Sequence, residues 1–231
     1  MWPEFQDCLD KGKHTVKVSG PALQKRIEES GRLAPNDLTQ LGANVTSLEL
    51  SKCPSLTSLP DTVSDLTALL DLLLPGNHLT SLPESIGDLK VLRTIIAEGN
   101  QLEHVPDSLC KLPRLHTLNI ARNKLLQLPS SLGALSESLV YVNISNNSIA
   151  ALPGSITQLT KLSTLICSHN QITSLPGSVS KLVQLSDLDA SHNQLIDIPQ
   201  ELAAAPKLKS LQLSENPFKD KKLIKVRAVS R

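Results

Sequence analysis

The chain has 231 residues, 40% hydrophobic but only 2% aromatic, so aliphatic side chains must build nearly the whole core. Lys and Arg total 23 against 22 Asp and Glu, and the net charge of +1 supplies no global field to draw the chain onto nucleic acid or anionic lipid. No run approaches the ~18 apolar residues of an ordinary transmembrane helix, and Met1, Trp2, Pro3 and Glu4 begin no apolar signal segment, so a cytoplasmic protein is expected.

Residues 1–44 belong to no repeat and are expected to form an N-terminal cap, because a solenoid end exposes a slice of core. Alternation over His14, Thr15, Val16, Lys17 and Val18 predicts a short edge strand beside the first coil. Ser19, Gly20 and Pro21 start a helix over 22–30, with Pro21 suited to its first turn and Gly31 to its end. A second short helical segment, 36–41, follows Pro35.

From residue 45 to 218 one pattern recurs eight times. In the stretch 115–129, Leu115, Leu118, Ile120 and Leu125 take the first, fourth, sixth and eleventh places, and Asn123 takes the ninth. The ninth place is filled again by Asn77, Asn100, Asn147, Asn170, Asn193 and Asn216, in steps of 23 residues except for 24 between Asn123 and Asn147. The added residue falls within 133–139, on the outer arc, where a loop absorbs it. Coil one carries Cys53 in the asparagine place and one extra residue before Leu56.

Such a period makes sense only if the chain coils, since no single turn can bury its apolar edge alone. Thr117, Leu118, Asn119 and Ile120 alternate as a strand does, and stacked coils would form a parallel sheet with strands about 4.8 Å apart. After each strand the buried asparagine offers both an acceptor and a donor, predicted to serve backbone groups of its own coil and the next. The return arc, as in Leu82, Pro83, Ile86 and Leu89, combines a strand-stopping proline with three-residue apolar spacing, which suits a 3₁₀ turn.

This pattern resembles the leucine-rich repeat, in its intracellular 23-residue form. The resemblance implies an α/β fold, a curved horseshoe with a concave parallel sheet and short helical or 3₁₀ convex segments. It also implies a non-enzymatic protein-protein interaction scaffold or adaptor with a protein ligand on its concave face. Short stretches outside the repeat framework (Trp2, Pro3 and Glu4; Ser19 to Leu23; Leu48 to Leu56; Pro206 to Lys209; Asp220 to Leu223) resemble the N-terminal region of the leucine-rich repeat-containing protein 47 family. That family continues into a synthetase-like domain, which implies translation machinery or RNA.

The strand residues pointing away from the core form three expected columns. One holds Ser47, Asp71, Thr94, Thr117, Tyr141, Thr164, Asp187 and Ser210, and the next Glu49, Leu73, Ile96, Asn119, Asn143, Ile166, Asp189 and Gln212. The third, beside the asparagine, holds Lys52, Gly76, Gly99, Arg122, Asn146, His169, His192 and Glu215. The ligand-binding candidates are Leu73, Arg93, Ile96, Glu98, His116, Asn119, Arg122, Tyr141, Asn143, Ile166, His169, Asp187, Asp189 and His192. Tyr141 is the only tyrosine and lies mid-face, where an amphipathic aromatic is a common hot spot. Leu73 and Ile96 would make a small apolar contact patch.

His169 and His192 with Asp187 and Asp189 invite a metal or a triad reading. Ser-His-Asn is simply a way to finish this repeat, and nothing supplies a nucleophile elbow or oxyanion hole, so no metal, cofactor or catalysis is expected. Cys8, Cys53, Cys110 and Cys167 do not cluster at the ends and are read as free thiols of a reducing compartment. The sequons at Asn44, Asn143 and Asn146 are read as chance matches. The segment 219–231, with six basic residues and one acid, is expected to be a basic cap or linker; RNA binding by it is a weaker expectation, without aromatic interleaving. A monomer is expected, and recognition of microbial surface molecules in innate immunity is the alternative function.

Overall fold

The computed structural model describes residues 2–218, so the expected basic cap lies outside the described residues. Nine strands, each bonded to its neighbours in sequence order, form one open curved parallel sheet. They are β1 (Thr15–Ser19), β2 (Ser47–Ser51), β3 (Asp71–Leu73), β4 (Thr94–Ile96), β5 (Thr117–Asn119), β6 (Tyr141–Asn143), β7 (Thr164–Ile166), β8 (Asp187–Asp189) and β9 (Ser210–Gln212). The middle residue of each three-residue strand from β3 to β8 is buried and its two neighbours are not, as a pleat with one wet face requires. Leu72, Ile95, Leu118, Val142, Leu165 and Leu188 therefore stack into one column of the core.

The return arcs are 3₁₀ turns, among them Asp61–Asp65, Glu84–Asp88, Asp107–Lys111 and Gly154–Gln158, each entered from a proline in extended conformation. Small residues let these arcs approach one another. A Cβ on Gly87 would sit 2.6 Å from the Ser108 carbonyl oxygen. The 24-residue coil absorbs its extra residue in the arc: the Leu139 N–H donates to the Leu135 carbonyl four residues back (3.0 Å), where Leu162 bonds three back, to Leu159 (3.0 Å). Thr117 still pairs with Tyr141, so the register survives.

The asparagines tie the coils together, and they reach backward rather than forward. Asn123 donates Nδ2 to Ile120 O of its own coil (3.0 Å) and to Ala97 O of the preceding one (2.9 Å); its Oδ1 accepts from the Leu102 N–H, also of the preceding coil (2.9 Å). Asn100, Asn147, Asn170, Asn193 and Asn216 repeat this set. Asn77 follows suit through Leu74 O, Leu50 O and the Cys53 N–H. At coil one the chain before it is a helix, so the Cys53 thiol turns to Gln24 Oε1 (3.2 Å) instead.

The N-terminal cap contains a helix that sequence periodicity did not reveal, α1 (Pro3–Asp10). Pro3 and Glu4 suit its first turn, and Phe5 and Cys8 are buried on one face. The Trp2 ring stacks on Phe5 at 4.9 Å, so two of the chain's few aromatics seal this end. The expected edge strand is β1, aligned with β2 over five residues. Helix α2 (Gly20–Ser30) ends at Gly31 with φ of 72°, as that glycine suggested. Helix α3 (Pro35–Thr39) is shorter than expected, and a separate 3₁₀ turn, Gly42–Asn44, follows it. Pro35 sets the start of α3, where the Asp37 carboxylate accepts the Ala34 N–H at 2.8 Å.

Candidate ligand-binding face

Two of the expected columns are columns in space. The strand pairing runs Asp71, Thr94, Thr117, Tyr141, Thr164, Asp187 and Ser210 on one line, and Leu73, Ile96, Asn119, Asn143, Ile166, Asp189 and Gln212 on the other. Tyr141 is half-buried between Thr117 and Thr164. Leu73 and Ile96 pair directly and are half-buried, each covering part of the other, so they offer less free apolar surface than separate exposed residues would. Arg93 and His116, one residue before their strands, are exposed, and the His116 Nδ1 lies 2.5 Å from Arg114 O.

Polar residues in the second column do local work. Asn119, Asn143 and Asp189 each accept the backbone N–H two residues on, at Ala121 (3.2 Å), Ser145 (3.0 Å) and Ser191 (3.0 Å). These Asx-type bonds bend the chain out of the strand. Glu98 joins this network, accepting from Asn119 Nδ2 (3.2 Å) and facing Arg122 Nε (3.6 Å). Toward the cap, Lys17 reaches Glu49 at 2.9 Å. Burial raises the Glu49 carboxyl's pKa, but Lys17 and Ser51 outweigh it and leave the group below its usual range.

The third column is not part of the strands. Lys52, Arg122, Asn146, His169, His192 and Glu215 all have φ between 51° and 58°, and Gly76 and Gly99 have φ of 69°. Arg122, His169 and His192 are therefore not strand residues but the crest of a left-handed turn that borders the concave face three residues past each strand. The physical reason is the turn after each strand: the chain must reverse direction before the buried asparagine, and a left-handed residue does so in one step. The signal was present in Gly76 and Gly99. Each crest amide from Lys52 to His192 bonds forward to a carbonyl of the next coil, Arg122 to Ser145 O (2.8 Å) and His169 to Ser191 O (3.1 Å). His169 and His192 stack face to face, with centroids 4.0 Å apart and planes within 10°.

The His–Asp grouping does not assemble a metal centre: among the described residues no three His, Cys, Asp or Glu side chains converge on a metal position. The four cysteines are separate, buried and free. Burial, with a smaller contribution from the Asp189 charge, pushes the Cys167 thiol up to about 12, and burial also raises Cys8, Cys53 and Cys110. Two clefts of about 400 Å³ occur elsewhere, one between α1 and β1 and the other on the outer arcs near His104 and Pro129. No helix among the described residues is long and apolar enough to cross a membrane.

The sheet, its 23-residue period and the backward asparagines agree with a sequence comparison, in which the leucine rich repeat family profile matches residues 113–172, 137–195 and 160–218. The fold is that of a leucine-rich-repeat solenoid. No curated protein matches its sequence. Among solved structures it is similar to a leucine-rich-repeat protein of Leptospira interrogans, with 28% identity and a TM-score of 0.81 over 91% of this chain and 51% of that one. This solenoid thus spans about half the length of that protein. Internalin C2 of Listeria monocytogenes is similar at 25% identity and a TM-score of 0.75, covering 90% of this chain and 84% of its own. A TDR receptor is similar at 29% identity and a TM-score of 0.72, covering 81% of this chain and 33% of its own. Leucine-rich-repeat solenoids commonly mediate protein–protein interaction, through the extended concave surface that coil stacking creates.

Proposed function

We propose that the chain is a non-enzymatic interaction module that takes a protein ligand on its concave face, as part of a scaffold or adaptor. The observation that carries this reading is a contrast within each coil. Leucines and asparagines repeat, whereas the half-buried or exposed residues between them change from coil to coil: Asp71, Thr94, Tyr141, Asp187 in one line and Leu73, Asn119, Ile166, Asp189 in the other. A face whose framework is constant and whose chemistry varies suits recognition of one particular surface. Eight strands about 4.8 Å apart, each taken with the residue on either side and so ~16 Å wide, give roughly 600 Å², close to the ~800 Å² per partner of a standard protein interface.

The test compares proteins captured from cells by the full chain with those captured by a Tyr141→Ala, Arg122→Glu, His169→Glu variant whose circular dichroism is unchanged. Loss of particular partners from the variant is expected. Full retention of every partner by the variant would refute the reading.

The four buried free thiols favour residence in a reducing compartment, and with it a cytoplasmic location over an exported microbial-recognition role. Formation of disulfides or of glycans at Asn44 or Asn146 in the native protein would reverse that preference. The translation-associated reading rests on the short resemblances at the chain ends. Trp2, Leu48, Leu50, Cys53 and Leu56 among them are buried framework, so they bear on ancestry more than on ligand. That reading predicts RNA binding with steep salt dependence, lost when 219–231 is deleted.

A further inference from the structure

Charge on the concave side is segregated along the solenoid axis. Arg93 of coil three is exposed on the strand-entry side, with the polar His116 of coil four beside it, and Arg122 of coil four stands on the crest with its side chain 70% exposed. Glu98 answers Arg122 at 3.6 Å, which leaves Arg93 without an acidic partner among the described residues. Coils five and six then present Val140, Tyr141, Asn143, Ser163, Thr164 and Ile166 at their strands, none of them Asp, Glu, Lys or Arg, with His169 stacked on His192 at the crest. Coil seven presents Asp187, exposed, and Asp189, half-buried, neither with a cationic partner among the described residues. Asp189 is held in place by the Ser191 N–H and hydroxyl (3.0 and 2.6 Å) on one oxygen, and Asp187 by the Ser186 hydroxyl. Beyond these groups the signs reverse, to Asp71 in coil two and Lys209 in coil eight.

We infer that the concave ligand is an extended polypeptide segment lying across the strands, with an acidic side chain over coils three and four and a basic one over coil seven. This rests on the concave-face reading and adds polarity and spacing to it. Coil four to coil seven is three strand spacings, about 14 Å, and coil three to coil seven about 19 Å. An extended chain advances about 3.3 Å per residue, so the acidic and basic residues of the ligand stand roughly four to six positions apart. The neutral coils between them accept uncharged residues, with an apolar one against Tyr141 and Ile166. A longer charged run is disfavoured at both ends by Asp71 and Lys209. A nucleic-acid strand fits poorly, because its phosphates would meet Asp187 and Asp189. Exposed charge pairs of this kind select a register and reject the wrong one more than they add affinity.

The experiment uses the full chain and an array of synthetic peptides long enough to cross the face, neutral except for one Asp and one Lys placed at every pair of positions around a central Leu. The expected result is retention of peptides with the two charges four to six positions apart, with about tenfold weaker binding when they are exchanged. A variant carrying Arg93→Glu, Arg122→Glu, Asp187→Lys and Asp189→Asn, the last keeping the Ser191 acceptor, should prefer the exchanged peptides. Retention that ignores spacing and polarity yet is lost in Tyr141→Asp overturns the register and leaves the concave-face reading standing. Retention unaffected by Tyr141→Asp overturns both. Failure of every peptide to bind, or a labelled oligoribonucleotide outcompeting them all, also overturns the inference.

Discussion

Asn123→Ala would take bonding partners from the Leu102 N–H and from the Ala97 and Ile120 carbonyls at a single position. Each backbone group left unpaired in a buried place costs about 1–3 kcal/mol. Asn123 is half-buried, so water can reach part of the gap, and the total expected is about 2–3 kcal/mol rather than the full sum. For a chain of this length that corresponds to a fall in Tm of roughly 5–10 °C. Urea unfolding followed by circular dichroism measures it, and an unchanged midpoint would refute the account of the asparagine as a tie between coils. Asn123→Asp sharpens the test. The carboxylate keeps the acceptor for Leu102 but faces two carbonyl oxygens, which disfavours its charged form and raises its pKa in the folded state. The penalty should then be small in acid and should grow as pH rises from about 4, the pKa in the unfolded chain, through the higher folded value. A pH-independent difference between Asn and Asp would contradict that geometry.

Gly99→Ala should cost about 1–2 kcal/mol through its positive φ alone, since the added Cβ meets nothing closer than 3.7 Å, and Gly99→Asn should recover part of the loss. Gly87→Ala should cost about 1–3 kcal/mol for a different reason, the clash with Ser108 O, so Gly87→Asn should give no recovery; chemical denaturation of the four variants separates the cases. Cys167 should resist thiol reagents in the native protein and react only on unfolding, as mass spectrometry of alkylated samples would reveal. Its thiol stays protonated in the fold up to about 12, whereas in the unfolded chain it ionises near 8.5, so this group's contribution to stability should decline as pH rises through that window. Cys53→Asn should not stabilise coil one, because helix α2 lies beside this position and its Gln24 already bonds the thiol, and a Tm above wild type would overturn this.

The sheet was legible because the strands obey the simplest rule available: Thr117, Leu118 and Asn119 alternate, and the same alternation returns 23 or 24 residues later. Strand register followed from the asparagine spacing without any structure. The crest was not legible in the same way. Arg122, His169 and His192 share the parity of the inward Ile120, Cys167 and Ala190, so strict alternation stops short of them, and only Gly76 and Gly99 hint that the backbone there turns left-handed. Direction of bonding was hidden too, because an amide side chain can face either neighbour and the sequence is nearly symmetric about it. Helix α1 escaped notice since it buries just Phe5 and Cys8, too few residues to establish a period. Which crest or strand residues meet a ligand depends on side-chain direction and local partners, as Glu98 and Asn119 illustrate, and these do not recur from coil to coil.

The crest amides bond forward to the following coil, and the asparagine side chains bond backward to the preceding one. Each coil therefore has a plug on one side and a socket on the other, and every inner junction offers the same pair. Removing residues 78–100 would join Asn77 to Gln101 with both halves of the junction still present, whereas a cut out of phase would leave an asparagine facing no carbonyl. Length in such a chain can change by whole coils without redesign of what remains, while each coil that is kept or lost moves the charged groups of the concave face one strand nearer or farther. The spacing that selects a ligand is thus adjustable in steps of about 4.8 Å.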